Sequence, residues 1–168
     1  SPDGKSIGFQ SAGKIRRVDI AGGLPIELAT ATRPTRGAWT DNGTVLFASG
    51  SGGPILRVKA SGGPVAAATN SRGGALWPFP LPGSDRFLYY DNGSRTLQLA
   101  PQAAGLFAAE SSALYAPPWG GYPGYLLWLK GTTLMAQAFD AASGTLKGDA
   151  AAVAEGVGFA DRTRMADV

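Results

Sequence analysis

Two stretches of the chain, KIRRVDIAGG at 14–23 and PILRVKASGG at 54–63, superimpose at an offset of forty residues. Ile15/Ile55, Arg17/Arg57, Val18/Val58, Gly22/Gly62 and Gly23/Gly63 coincide. Upstream of each runs a short apolar segment, SIGFQ from Ser6 and TVLFAS from Thr44, in which Ile7 and Phe9 align with Val45 and Phe47. The segment recurs as RFLYY, with Phe87 and Tyr89, and as YLLWL, with Tyr125 and Leu127, at steps of 38, 42 and 38 residues. A unit of this length is one supersecondary piece that buries its faces against its neighbours.

Within each unit the apolar residues alternate with period two, and the stretches between glycines are too short for a helix repeat. The order is a turn, an apolar strand, a second turn, a half-polar strand and a Gly-Gly turn leading to an outer strand. That pattern predicts an all-β chain of four-stranded antiparallel sheets arranged as propeller blades. The blades fall at about 1–30, 31–70, 71–110 and 111–157, with 158–168 as the lead-in to another. The second strand of each blade is apolar on both faces because a neighbouring blade covers each side. The opening SPDGK is a hairpin turn matching TDNG at 40–43, which Trp39 precedes. The first unit is therefore expected to lack its innermost strand, and the chain to be a segment of about four blades from a six- to eight-bladed ring.

Composition narrows the function classes. Net charge is +3, with eleven basic and six acidic residues in 1–100 and four basic and six acidic beyond. Arg and Lys occur singly or in pairs, Arg16-Arg17 being the densest point, so the converging phosphate contacts of a nucleic-acid interface are not expected. The chain has no cysteine, which excludes disulfides and thiolate chemistry. No apolar run reaches the ~20 residues of a membrane helix, so any membrane link is expected only through sequence outside this chain.

SPDGKSIGF and AWTDNGTVLF resemble TolB-like propeller repeats, which carry W-S-P-D-G-(K/R)-x-I-A-F, then an L-(W/Y)-x-(V/L) strand and Gly-Gly. In the third unit Gly83-Ser84 stands where Asp-Gly would be, and the fourth has GGYPGYLLWL instead. A narrower resemblance covers Tyr115–Val157, which is similar to the C-terminal propeller of many bacterial Ser/Thr protein kinases. Gly124, Leu134, Met135, Gln137, Phe139, Asp140, Gly148 and Glu155 carry it, and WGGYP at 119–123 departs from it. The resemblance implies an extracytoplasmic sensing or binding module tethered to an internal kinase. Two alternatives stay open: the substrate-gating propeller of a prolyl-oligopeptidase-like serine hydrolase, and a periplasmic TolB-type protein-interaction scaffold.

Catalytic motifs fail on context. GKSIG, Gly4–Gly8, matches the G-x-S-x-G nucleophile elbow, yet the chain has no histidine and SIGFQ reads as a strand rather than a helix. No kinase motif and no calcium-loop spacing occur, so no catalytic residue, metal or cofactor is expected in this segment. Asp3, Asp41 and Asp140 read as turn and strand-end residues, and NGT at 42–44 and NGS at 92–94 as turns. The connections between blades, placed at 29–38, 70–76 and 110–121, carry the binding candidates Arg33, Arg36, Arg72, Tyr115 and Trp119. Trp39 and Trp77 stand just inside the inner strands. Arg and aromatic side chains concentrate binding energy at interfaces. The competing reading has the tryptophans filling wedges between blades and the arginines solvating a rim. On the functional reading, a protein or small-molecule ligand docks across the channel mouth.

Overall fold

In a computed structural model, residues 1–31, 36–48, 50, 52–102, 104–160 and 165–166 are described. They form an all-β, propeller-like array of four antiparallel sheets. The first sheet has three strands, β1 (Ser6–Ser11), β2 (Lys14–Asp19) and β3 (Ile26–Thr30). The second has four: β4 (Gly37–Trp39), β5 (Thr44–Ala48), β6 (Ile55–Lys59) and β7 (Ala66–Ala67). The third comprises β8 (Ala75–Pro80), β9 (Phe87–Asp91), β10 (Thr96–Ala100) and β11 (Ala104–Ala108). The fourth comprises β12 (Ala113–Ala116), β13 (Tyr125–Lys130), β14 (Thr133–Asp140) and β15 (Thr145–Ala154). A short pair, β16 (Phe159–Ala160) with β17 (Met165–Ala166), follows. Each sheet is a meander of consecutive hairpins.

The turns explain the repeat. Gly22 and Gly23 have φ of +104° and +116°, and Gly62 and Gly63 +89° and +125°, which side chains other than glycine resist. Thr40 clasps the turn into β5: its nitrogen donates to the Thr44 carbonyl at 2.9 Å, and its hydroxyl accepts from the Thr44 nitrogen at 3.0 Å. Ser1 does the same ahead of β1. Its nitrogen donates to the Ser6 carbonyl at 2.7 Å, and its hydroxyl accepts from the Ser6 nitrogen at 2.8 Å. The first sheet's β1 is thus the counterpart of β5.

Among the described residues, most of the buried apolar side chains gather in three clusters, one at each seam between sheets. Val45, Phe47 and Val58 meet Ile15, Leu28 and Ala29 of the first sheet. Leu46, Ala48 and Ile55 point the other way, onto Ala75, Phe87 and Tyr89 of the third. Leu88, Tyr90, Leu97 and Leu99 then meet Tyr115, Leu126, Trp128 and Phe139 of the fourth. Neighbouring residues of β5 and β9 therefore serve opposite seams. Each large side chain so buried contributes roughly 1.5–3 kcal/mol.

One equivalence shifts. Leu126 and Trp128, rather than Tyr125 and Leu127, face the third sheet, and Leu126 pairs with Tyr115 as Val45 pairs with Trp39. Because YLLWL is apolar throughout, its sequence carries no parity signal. A one-residue slip exchanges the two faces.

Candidate functional site

The first strands of the second, third and fourth sheets lie side by side, with β8 against both β4 and β12. Together they line a cavity of about 280 Å³. Arg36, Trp39, Trp77, Phe79 and Ser112 are among the residues on its wall. Arg36 is exposed just ahead of β4, whereas both tryptophans are half-buried.

Trp77 has unusual backbone geometry. Its φ is +57°, and it sits where the pairing of β8 with β9 slips between Leu76 and Phe79. A bulge of this kind re-aims a side chain. Holding a residue other than glycine in the left-handed region costs on the order of 1–3 kcal/mol, and residues so held cluster at active and ligand sites, although Ala12 and Arg95 adopt it here in hairpin turns. The ring packs against the seam between the third and fourth sheets, and its indole nitrogen is buried with no hydrogen-bond partner among the described residues. Pro78 follows, fixing its own φ and contributing no N–H to the ladder.

The connection over 68–74, between the second and third sheets, carries Arg72 exposed to solvent. It is fastened to the β9–β10 turn. The Ser71 hydroxyl donates to one Asp91 carboxylate oxygen, Ser94 donates its N–H to the other at 2.9 Å, and Asn92 donates its N–H to the Gly74 carbonyl at 3.0 Å. Burial alone would raise the Asp91 pKa, but the Ser71, Ser94 and Gly93 donors outweigh it and hold the carboxyl below its ordinary value. Burial, then the neighbouring Asp91 charge, raises the Tyr89 pKa.

Tyr115 and Trp119 lie elsewhere than the sequence suggests. The connection joining β11 to β12 is 109–112, so Tyr115 falls within β12 and Trp119 in the β12–β13 connection. Tyr115 is buried edge-on against Phe139, with ring centroids 6.0 Å apart. Trp119 is 85% exposed and bridged through its backbone to Tyr122, itself 70% exposed. That connection shares its end of the sheets with the other first-to-second-strand turns. There Gly83 donates its N–H to Asp41 at 3.0 Å, and the Arg86 guanidinium donates to the Ala141 and Ala142 carbonyls at 3.3 and 2.9 Å. Arg33 lies outside the described residues.

Of the seven candidates, the fold brings Arg36, Trp39 and Trp77 to one cavity and distributes Arg72, Tyr115 and Trp119 over other parts. Phe79 and Ser112 join the wall without having been singled out. The bulge in β8 turns that part of the strand inward, and WPFP, the one aromatic-proline alternation in the chain, was the available signal. Flat apolar rings with a guanidinium at the rim can stack on and pair with a ligand.

No protein-family model matches the chain, and no curated protein matches its sequence.

Proposed function

We propose that this chain is a non-catalytic binding module whose ligand, a protein segment or a small molecule, enters the cavity between β4, β8 and β12. The observation that carries the reading is Trp77, kept in a strained backbone conformation at the wall where three sheets converge with Arg36 and Trp39. Aromatic and arginine side chains are the usual anchors of such contacts. The similarity of Tyr115–Val157 to kinase-linked propellers supports an extracytoplasmic sensing role in a bacterial Ser/Thr protein kinase.

The test has two parts. Peptide and small-molecule panels should select ligands whose affinity falls at least about tenfold in Trp39→Ala and Arg36→Gln chains that still melt cooperatively. Ligands insensitive to both substitutions, or none at all, would overturn the binding site. The kinase assignment is checked on the gene itself. A reading frame with neither a kinase segment nor a membrane-spanning segment beside this one would remove it.

A further inference from the structure

A second cavity, of about 440 Å³, opens in the wedge between the second and third sheets. Arg57 and Lys59 of β6 line it together with Leu46, Ala68, Phe87 and Pro101. Two residues apart on one strand, their side chains share a face.

Comparison with the first sheet gives this pair its meaning. Arg17 and Asp19 hold the same two places on β2, and there the guanidinium meets the carboxylate at 2.7 Å. Ser6 sits opposite Asp19 and donates its hydroxyl to that carboxylate at 2.7 Å. In the second sheet Thr44 sits opposite Lys59 in the same register, and the acid has been replaced by a base. Lys59 now donates to the Thr44 hydroxyl at 3.1 Å. Among the described residues neither Arg57 nor Lys59 forms an ion pair. The carboxylate on the cavity wall, Asp85, accepts instead from the Asn42 amide. The strand pairing that closes an internal ion pair in one sheet thus presents two adjacent cations over an apolar floor in the next.

We infer that this wedge binds an oxyanion carried on a small apolar body, with Arg57 and Lys59 clamping the carboxylate or phosphoryl group and Leu46, Phe87 and Pro101 receiving the body. Guanidinium groups suit planar and tetrahedral oxyanions alike through paired N–H donors. The site is independent of the cavity holding Trp77 and would survive the failure of that reading.

Titration of the chain by calorimetry with phenyl phosphate, benzoate and inorganic phosphate tests it. Phenyl phosphate or benzoate should saturate with a Kd of ~1 mM or tighter, and inorganic phosphate, lacking the apolar body, about tenfold more weakly. The tighter of the two aromatic probes tells whether phosphoryl or carboxylate ligands are the natural class. Lys59→Asp, which rebuilds the Arg17–Asp19 arrangement, should weaken binding at least about tenfold while keeping the melting temperature of the parent. Arg57→Gln should do the same, and Arg17→Gln should leave binding unchanged. Saturation by none of the probes, full binding in Lys59→Asp, or equal loss in Arg17→Gln would overturn the site.

Discussion

Gly73 and Gly93 meet backbone to backbone: a β-carbon on Gly73 would stand 2.6 Å from the Gly93 α-carbon, and one on Gly93 2.8 Å from that of Gly73. The first belongs to the connection between two sheets and the second to a hairpin turn of the later sheet. The contact lets Ser71 reach Asp91 across the same gap.

Gly93→Ala and Gly73→Ala are accordingly expected to destabilise the chain by about 1–3 kcal/mol, the usual cost of forcing atoms into a filled space. Gly105→Ala is the control, since its nearest neighbour would be the Gln98 amide nitrogen at 3.6 Å. Urea unfolding compares the three, and equal stability of Gly93→Ala and Gly105→Ala would show that the two backbones are not in contact.

Acid should loosen the turn joining β14 to β15. The Ser143 N–H, the Lys147 ammonium and the Ala142 N–H hold the Asp140 carboxyl down to about 2, against 3.8 for a free side chain. A folded-state pKa below the unfolded one stabilises the fold above pH 3.8, and that stabilisation is lost as the pH falls through about 2. Asp91 adds to the loss in the same direction. Urea midpoints followed downward from pH ~5 should drop less steeply in Asp140→Asn than in the parent. Parallel curves would contradict the assignment.

At position 77 the ordinary order of alanine and glycine should invert. Within a strand glycine is the worse residue, but at φ +57° it carries no steric cost and alanine does. Trp77→Gly is therefore expected to be more stable than Trp77→Ala by about 0.5–1 kcal/mol, although both lose the ring's packing. Thermal melts of the pair decide it; alanine melting higher would mean that the backbone at 77 is not left-handed.

The parts of the architecture legible in the sequence are those where spacing alone dictates geometry. Glycine pairs at 22–23 and 62–63 mark turns, and Val45 with Phe47 marks a buried strand face. Tyr125 and Leu127 failed because an apolar run has no parity. Tyr115 and Trp119 lie off the connections between sheets because PPWGGYP, which reads as such a connection, links two strands of one sheet. Trp77 stands out in the sequence by residue type alone, whereas its backbone geometry depends on where β9 can pair with β8 around Pro78. The Arg57–Lys59 pair was visible only as a mismatch, Asp19 against Lys59, inside an otherwise matching repeat.

The division of β5 between two seams makes that strand a party wall. Phe47 belongs to the compartment on one side and Leu46 to that on the other, one residue apart along the chain. Whatever moves the wall is felt in both rooms, so a ligand wedged beside Leu46 and Phe87 presses through β5 on the packing around Val45 and Trp39. Two cavities with no lining residue in common are in this way joined by a single partition.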